Sequence, residues 1–309
     1  MSKPVLLIVG PYPDFDMEVL EREYSVLKLW ENVRIDEHAD QIRALATRGD
    51  LGASKELIAQ LPKLEIIACN GVGVDAIDFN STRTRGIKVS NTPDVLNDDV
   101  ADLTLGLMLG ISRQIAKGDA FVRSGQWATT GWPLQMKMSG KRLGLLGMGR
   151  IGQAIAKRAE AFSMPVAYHT RNKRDDVGYA YYPALTELAR DSDYLVAILP
   201  GGAGTQNIIN AEVLKALGPT GIFVNVARGT VADEEALLQA LENKTIAGAA
   251  LDVYWNEPKI NPRFFALENA LLHPHGGSAT LDTRKAMGKL VRDNLAAHFA
   301  GKPLLTPVG

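Results

Sequence analysis

The sequence contains very little cysteine, since Cys69 is the single one among 309 residues. One cysteine excludes a disulfide within the chain and a cysteine-rich zinc site, and it favours a reducing compartment. An excess of charge of either sign is also lacking, because 34 Lys and Arg face 35 Asp and Glu and the formal net charge is −1. We therefore predict no metal site, and no nucleic acid or anionic membrane as a partner.

Long hydrophobic runs are missing as well. The longest nearly apolar stretch, residues 103–111, is far shorter than the ~20 residues that a membrane-spanning helix needs. The apolar run at residues 4–9 is too short for the core of a signal peptide and is typical of a first strand. These features lead us to expect a soluble, cytoplasmic protein.

Short continuous apolar runs recur along the chain, as is typical of parallel strands that are buried on both faces. Segments with helical periodicity separate most of these runs. Such an alternation of strands and helices predicts a doubly wound α/β architecture. The candidate strands are residues 5–9, 65–69, 87–90, 143–146, 166–169, 195–199, 222–226, 249–253 and 270–273.

The alternating segments fall into two sets, and 309 residues exceed what one hydrophobic core usually holds. A long helix predicted over residues 98–123 separates the sets, and the second set starts at residue 141. The last helix, residues 281–300, has no strand after it and is expected to return to the first domain. We therefore predict a discontinuous first domain, residues 1–98 and 282–309, and a second domain, residues 99–281.

A glycine-rich loop, residues 147–152, has the pattern G-x-G-x-x-G between the predicted strand 143–146 and a predicted helix, residues 153–162. In that setting the first glycine permits a tight turn, the second lets the backbone approach a pyrophosphate, and the third allows close packing of helix on strand. The N–H groups at the helix start then face the phosphates. An ordinary turn is the alternative. The residues assigned to the dinucleotide here are Gly147, Gly149, Arg150, Ile151 and Gly152.

The end of the next predicted strand distinguishes NAD from NADP. NAD enzymes usually place Asp or Glu there to bind the ribose hydroxyls of adenosine, whereas residues 170–174 of this chain are TRNKR. A planar guanidinium suits bidentate contact with the 2′-phosphate of NADP. We therefore predict that NADP(H) is preferred and that NAD(H) is possible, with a solvated basic loop as the alternative. The residues assigned to this contact are Thr170, Arg171, Asn172 and Arg174, with Arg171 as the best candidate for the phosphate.

Five segments, in this order, resemble the D-isomer-specific 2-hydroxyacid dehydrogenase family over nearly the whole chain. They are NGVGVD (70–75), the glycine-rich loop, VARGT (226–230), LDVYWNEP (251–258) and HPHGGSAT (273–280). The basic stretch after the second cofactor strand resembles the glyoxylate/hydroxypyruvate reductase branch. This family reduces a 2-keto acid to its D-hydroxy acid or runs in the reverse direction.

The resemblance implies two Rossmann-like domains with an interdomain cleft, the first a substrate (catalytic) domain and the second a dinucleotide-binding domain. It also implies an enzyme that reduces glyoxylate and hydroxypyruvate with a nicotinamide as hydride donor, and a homodimer. The alternatives are a reductase for another 2-keto acid, of the 2-ketogluconate or phenylpyruvate type, and a dinucleotide-sensing co-repressor. The short tail after the last helix argues against phosphoglycerate dehydrogenases that carry an extra regulatory domain.

The family pattern selects three catalytic residues. His275 is the predicted proton donor, because a histidine with a reference pKa of ~6.5 can give and recover a proton near neutrality. Spacing alone does not separate it from His273, which the resemblance leaves as a structural residue. Glu257 is expected to orient His275 and raise its pKa. Arg228 offers a fork of donors for the substrate carboxylate and the ketone oxygen.

The loop after the second candidate strand is the predicted carboxylate site. Two glycines let backbone N–H groups form an anion-binding nest, and the resemblance assigns the N–H groups of Val72 and Gly73 to the substrate carboxylate. Asn70 and Asp75 are expected to hold this loop.

Further cofactor contacts carry over from the family by position. Asp252 is expected near the nicotinamide carboxamide, and the GGAG loop at residues 201–204 departs from the usual family turn. Three roles stay open for Trp127, Trp132 and Trp255, namely a subunit interface, a wall of the substrate pocket and packing within the protein. The further cofactor residues are Thr104, Leu199, Pro200, Val226, Ala227, Arg228, Asp252, His275 and Gly277.

Overall fold

The computed structural model describes residues 3–309, which fold as two compact units. Unit 1 contains the described residues up to Leu96 together with Ser278–Gly309, and unit 2 contains Asn97–Gly277. Each unit is a mainly parallel sheet with helices on it, so the predicted doubly wound α/β architecture is confirmed for both.

Thirteen strands are present in the described part of the chain. In chain order they are β1 (Val5–Ile8), β2 (Ser25–Lys28), β3 (Ile42–Arg48), β4 (Ile66–Asn70), β5 (Lys88–Ser90), β6 (Leu143–Leu146), β7 (Val166–His169), β8 (Ala180–Tyr181), β9 (Tyr194–Ala197), β10 (Ile222–Asn225), β11 (Gly248–Leu251), β12 (Ala270–Leu272) and β13 (Pro307–Val308).

Eleven α-helices lie between these strands within residues 3–309, and none of them is both long and apolar enough to cross a bilayer. In chain order they are α1 (Asp14–Glu23), α2 (Ile35–His38), α3 (Lys55–Ala59), α4 (Phe79–Arg85), α5 (Asn97–Arg113), α6 (Ile115–Arg123), α7 (Arg150–Glu160), α8 (Leu185–Arg190), α9 (Ala211–Leu217), α10 (Glu234–Glu242) and α11 (Leu281–Phe299).

Local sequence explains where several helices begin. A short polar side chain at the residue before the helix accepts a hydrogen bond from an N–H group of the first turn, which has no acceptor within the helix. This side-chain cap is present at α3, α4, α9, α10 and α11 and is supplied by Ser54, Asp78, Asn210, Asp233 and Thr280.

The sheet of unit 1 has the order β13-β5-β4-β3-β1-β2, and every neighbouring pair is parallel except β13 with β5. Its strands are apolar on both sides because both faces are covered. One face packs Leu7, Leu45 and Ile67 into a core, and the opposite face packs against helices α1 and α11. Carboxyl ends of β1, β3 and β4 therefore share one edge.

The sheet of unit 2 has the order β12-β11-β10-β9-β6-β7-β8, with all pairs parallel. The chain builds outward from β6 to β8 and then crosses back to place β9 on the other side of β6. The order of the strands reverses at this point, and doubly wound sheets bind ligands outside the carboxyl ends of their strands at such a reversal. The glycine-rich loop follows β6 directly.

The helix predicted over residues 98–123 is two helices, α5 and α6. The chain breaks at Gln114, whose φ of 49° lies in the left-handed region that a continuing α-helix does not allow. The other predicted helix that begins after the glycine-rich loop starts earlier than expected, at Arg150 rather than residue 153.

A buried amide ties the end of the chain to α11. Asn294 is fully buried, and its Oδ1 accepts hydrogen bonds from the N–H groups of Leu305 (3.0 Å) and Thr306 (3.1 Å). Its Nδ2 donates to Leu290 O (2.8 Å) and to Thr306 Oγ1 (2.9 Å). The three bonds to Leu305 and Thr306 place the segment that forms β13 at the edge of the unit 1 sheet.

We expect Asn294→Ala to lower the free energy of unfolding by about 1–3 kcal/mol, because a hydrogen-bonding side chain is removed from a buried position. Chemical denaturation of the two proteins measures the difference. Asp293→Ala is the matched control, since Asp293 forms an ion pair with Lys289 on the helix surface and such pairs contribute about 0–1 kcal/mol. An equal effect of both substitutions would contradict this account of Asn294.

Candidate active site

The three predicted catalytic residues follow three neighbouring strands of unit 2. Arg228 comes after β10, Glu257 after β11 and His275 after β12. Because these strands are parallel, their carboxyl ends lie at one edge of the sheet. The fold therefore brings residues that are far apart in the sequence to one place.

His275 and Glu257 form a direct pair. The Nδ1 atom of His275 lies 2.5 Å from Glu257 Oε2, and Glu257 Oε1 accepts a hydrogen bond from the N–H group of Tyr254 at 2.8 Å. Both carboxylate oxygens are thus engaged, which fixes the orientation of the carboxylate and of the ring. The His275 side chain is 40% exposed, so its other ring nitrogen, Nε2, remains available for a substrate and for water.

The charge on Glu257 stabilises the protonated ring. Its hydrogen bond raises the pKa of His275 above the ordinary value of 6.5, burial opposes this, and the charge of Glu257 adds to the rise. The more distant Asp252 also raises the pKa, while the positive charge of Arg228 lowers it. The imidazolium form therefore persists to a higher pH than in an isolated histidine.

A buried carboxylate, Asp252, holds the loop that carries His275. Its Oδ1 lies 2.7 Å from His273 Nδ1 and accepts the N–H of Gly276 at 2.7 Å, and its Oδ2 accepts the N–H of Gly277 at 3.0 Å. His275 itself has a φ of 49°, so the backbone there needs such support. A Cβ at position 276 would overlap the ring of His273, which explains the glycine. His273 acts here as a partner of Asp252.

Two contacts position Arg228. The side chain of Asn225, the last residue of β10, accepts the N–H of Ala227 at 3.1 Å and donates to Arg228 O at 3.0 Å. Gly229 then lies so close to Tyr254 that a Cβ would collide with its carbonyl group. The Arg228 segment is therefore packed directly against the segment that leads to Glu257. Sequence reasoning missed Asn225, although a buried amide at the end of an apolar strand was a usable signal.

The glycine-rich loop has the shape that a dinucleotide needs. Gly147 has a φ of 111°, and a Cβ there would collide with Ile198 O, while a Cβ on Gly152 would lie 2.5 Å from Gly147 O. A Cβ on Gly149 would instead meet no atom within 4 Å, so open space lies above this residue at the start of α7. The positive end of the helix faces this space, and these residues fit the pyrophosphate of NAD(P).

Arg174 and Arg171 differ in what they contact. The Arg174 guanidinium pairs with Asp176, and its Nη1 also donates to Met148 O at 2.6 Å. Arg174 therefore supports the glycine-rich loop through Met148, and its positive charge is paired with the carboxylate of Asp176. Arg171 is exposed after β7, and its Nη2 lies 3.7 Å from where a Cβ on Gly204 would be. The side chain of Arg171 thus extends toward residues 201–204, the loop that departs from the usual family turn.

Thr170 and Asn172 close the turn that carries Arg171. Thr170 Oγ1 donates to Asn172 O at 2.6 Å, and Tyr181 OH donates to Thr170 O at 3.3 Å. The threonine hydroxyl is therefore used within the loop, and no carboxylate stands at the position where NAD enzymes carry one.

Several further residues assigned to the cofactor are buried. Thr104 is fully buried, and its hydroxyl donates to Val100 O at 2.7 Å within α5. A buried side chain presents little surface to a ligand, so the cofactor contacts expected of these residues stay predictions. The other buried members are Val226, Ala227, Asp252 and Gly277, whereas Leu199 is half-buried and Pro200 is exposed.

In unit 1, the loop after β4 directs carbonyl groups toward the segment that follows β5. Asn91 Nδ2 donates to Val72 O at 2.9 Å, and the N–H of Thr92 donates to Gly71 O at 3.0 Å. Since the N–H and C=O of one peptide point in opposite directions, the N–H groups of Val72 and Gly73 face away from these partners. This orientation is the one that the predicted carboxylate nest requires.

Residues that we did not predict contact this loop, and the expected role of Asp75 stays a prediction. Asn91, Thr92 and Cys69 make the contacts, the last through Sγ to Gly73 O at 3.5 Å. Asn70 is buried, and its Oδ1 finds no hydrogen-bond partner within residues 3–309, so its amide oxygen does not support the loop. Asn91 and Thr92 follow the neighbouring strand β5, a relation that only strand order reveals, whereas Cys69 belongs to β4.

The tryptophans divide into packed and exposed ones. Trp255 donates from Nε1 to Ala232 O at 2.7 Å, and Trp132 packs on Phe121 with ring centroids 5.1 Å apart. Trp127 is 64% exposed. Trp255 and Trp132 therefore have packing roles, and Trp127 presents apolar surface to the outside.

Comparison with known proteins gives consistent matches. The sequence model of the D-isomer specific 2-hydroxyacid dehydrogenase family, NAD binding domain, matches residues 105–277. A glyoxylate/hydroxypyruvate reductase A from Arabidopsis thaliana is 45% identical over 307 residues, which cover 98% of this chain and 98% of that protein. A 2-ketogluconate reductase from Gluconobacter oxydans is 44% identical over 307 residues, which cover 99% of each chain.

A solved structure matches over the whole chain. It is an NADPH-dependent glyoxylate/hydroxypyruvate reductase from Sinorhizobium meliloti in complex with NADP and malonate. The TM-score is 0.94 at 41% sequence identity, and the match covers 100% of this chain and 97% of that chain.

We expect Glu257→Gln to lower the pKa of His275, because the substitution removes the charge whose hydrogen bond stabilises the imidazolium. An NMR titration of the ring Cε1–H resonance measures this pKa. Glu268→Gln is the control, since that carboxylate is almost fully exposed and pairs with Lys117 rather than with a histidine. An unchanged pKa in the Glu257 variant would show that the pair does not tune the ring.

Proposed function

Since this chain belongs to the D-isomer specific 2-hydroxyacid dehydrogenase family, we propose that it reduces glyoxylate and hydroxypyruvate to D-2-hydroxy acids. The resemblance inferred from five sequence segments is confirmed by these matches. The observation that carries the proposal is the His275–Glu257 pair, joined at 2.5 Å, on the same sheet edge as Arg228. A proton donor and a carboxylate-binding guanidinium are what reduction of a 2-keto acid needs from the protein.

The residues of this chain have separate roles in the proposed reaction. Arg228 binds the substrate carboxylate and polarises the ketone oxygen, and protonated His275 donates its proton to that oxygen from Nε2. When bound, the reduced nicotinamide supplies the hydride. Glu257 stabilises the imidazolium before the transfer. Because the His275 ring is 40% exposed, it can recover a proton from water afterwards.

We propose that the two units divide the binding work. Unit 2 binds the dinucleotide on the glycine-rich loop, and unit 1 binds the substrate carboxylate on the N–H groups of Val72 and Gly73. Two observations support this division. The carbonyl groups of the unit 1 loop bind the segment after β5, which leaves its N–H groups facing the other way, and open space lies above Gly149.

We also propose that NADP(H) is preferred over NAD(H). Arg171 supports this, because it is exposed at the end of β7 and no ion pair engages it within residues 3–309. A 2′-phosphate would give this guanidinium a bidentate partner. Arg174 contributes through the glycine-rich loop rather than by direct contact, since Asp176 and Met148 already occupy its donors.

A homodimer in the cytoplasm is part of the same proposal. Apolar side chains are exposed in the segment 115–134 of unit 2, which supports a protein partner there. They are Ile115, Val122, Trp127 and Leu134.

A second candidate substrate is a longer, polyhydroxylated 2-keto acid. The 44% identity to a 2-ketogluconate reductase over 99% of both chains favours it. Both kinds of substrate place the same carboxylate and carbonyl group on the same residues, so the candidates differ only from the third carbon onward.

We expect His275→Gln to lower kcat for keto acid reduction by about 100-fold or more, because the proton donor is lost, and to change KM much less. In the parent enzyme, the rate should fall as the pH rises through the raised pKa of His275, since the protonated ring is the active form. In Glu257→Gln the fall should move to lower pH. Steady-state rates across pH measure both effects.

His38→Gln on α2 is the control for this prediction, since no motif includes His38. A His275 variant with unchanged kcat/KM would contradict the assignment. A parent enzyme that binds the dinucleotide without reducing any keto acid would favour the co-repressor alternative.

We expect Arg171→Gln to raise KM for NADPH about 10-fold or more and to leave KM for NADH nearly unchanged, because only NADPH carries the phosphate. Initial rates with each cofactor measure this. Arg190→Gln at the exposed end of α8 is the charge-matched control. Equal changes for both cofactors would assign Arg171 to the adenosine rather than to the phosphate.

A further inference from the structure

The turn after β3 in unit 1 lies against the predicted carboxylate loop. Arg48 ends β3 and is paired in register with Asn70, which ends β4. A Cβ on Gly71 would lie 3.3 Å from the backbone nitrogen of Gly49, so the two turns are in contact. Any group on the Arg48 turn is therefore close to the N–H groups proposed to bind the substrate carboxylate.

Helix α11 brings Arg284 to the same edge. His298, near the end of α11, lies 2.9 Å from Glu65, the residue before β4, and Thr283, near the start of α11, contacts Val95 beyond the carboxyl end of β5. The helix therefore runs antiparallel to these strands. Arg284 lies one turn into the helix, about 21 Å from His298 at the usual helical rise. The five residues of β4 span about 17 Å, so Arg284 lies level with the carboxyl end of β4.

The guanidinium groups of Arg48 and Arg284 differ in their partners. The guanidinium of Arg48 is bound by both oxygens of Asp50, at 3.0 and 2.5 Å. Arg284 is half-buried, and its guanidinium finds no hydrogen-bond acceptor within residues 3–309. Burial lowers the pKa of Arg284, and the nearby positive charge of Arg48 lowers it further while Asp50 opposes this. Two cations thus share one carboxylate.

A half-buried cation is destabilised unless an acceptor satisfies its donors. Such a cation lies at the edge of the unit 1 sheet that also carries the proposed carboxylate loop, and the proposed substrate is an oxygen-rich anion. Glyoxylate, with two carbons, has no group to reach it. A keto acid with an oxygen on its third carbon or beyond would have one.

We propose that Arg284, with Arg48 beside it, forms a subsite that binds an acceptor oxygen on the third or a later carbon of the substrate. The enzyme would then favour keto acids with a distal hydroxyl or carboxylate over keto acids that end in a hydrocarbon. This inference rests on the proposed function, because it places the substrate carboxylate on the loop of Val72 and Gly73. It adds a specificity-determining residue to that function.

Pyruvate and hydroxypyruvate test the subsite directly, because they differ only by a hydroxyl on the third carbon. In Arg284→Gln, kcat/KM for hydroxypyruvate should fall about 10-fold or more, mainly through KM, as expected for the loss of a charge-assisted hydrogen bond. The values for pyruvate and glyoxylate should change by about twofold or less. Lys289→Gln, an exposed substitution on the same helix, should leave all three substrates unchanged.

A fourth substrate distinguishes whether the subsite binds the oxygen of a hydroxyl or of a carboxylate. Fresh oxaloacetate carries a carboxylate where hydroxypyruvate carries a hydroxyl. A larger loss for oxaloacetate in Arg284→Gln would assign the subsite to a carboxylate, and a larger loss for hydroxypyruvate would assign it to a hydroxyl. Both results support the subsite.

Equal losses for pyruvate and hydroxypyruvate, or no loss for either, would overturn the subsite while leaving the proposed function in place. A parent enzyme that reduces none of the four acids would instead refute the proposed function. Arg284→Lys is the second variant if the glutamine variant unfolds, as judged by circular dichroism and the thermal midpoint. It keeps the charge but loses the planar fork, so the ratio of hydroxypyruvate to pyruvate efficiency should fall by about threefold or more.

Discussion

The site of unit 2 depends on one buried carboxylate. Asp252 is 2% exposed and receives two backbone N–H groups and one histidine ring, all from the loop after β12. Those bonds hold His275 in a left-handed backbone conformation that would otherwise be disfavoured. Glu257 can then meet His275 Nδ1, because the ring has one orientation rather than many. The proposed proton donor is therefore positioned by a residue that need not itself take part in the reaction.

Close backbone approaches complete this arrangement. Gly229 lets the Arg228 segment lie directly on Tyr254, whose N–H in turn binds Glu257. The guanidinium, the carboxylate and the ring are thus connected through the main chain rather than through flexible side chains alone. Such rigid support is what a site needs when a proton and a hydride must reach the two ends of one carbonyl group.

Much of the architecture could be predicted from apolar runs, because strands buried on both faces leave a continuous hydrophobic signal. Strand β3 was not predicted, because its sequence IRALATR includes two arginines and two alanines and is not a continuous apolar run. The break between α5 and α6 at Gln114 was not predicted either, because a left-handed residue other than glycine carries no pattern. The support from Asn91 was missed for a related reason: this residue acts on a loop that is beside it in space, through a hydrogen bond that no spacing encodes.

The sequence by itself determined the family and the glycine-rich loop, and it predicted Arg228, Glu257 and His275 as the catalytic residues, because each lies in a short contiguous motif with a stated chemical role. Only the tertiary structure decided which charged side chains lie close to one another and which partners they have. It commits Arg174 to Asp176 and the glycine-rich loop, and it brings Arg284 to Arg48 across more than two hundred residues of chain. Motifs are local along the chain, whereas the pairing of charges depends on which strands and helices end at the same edge of a sheet.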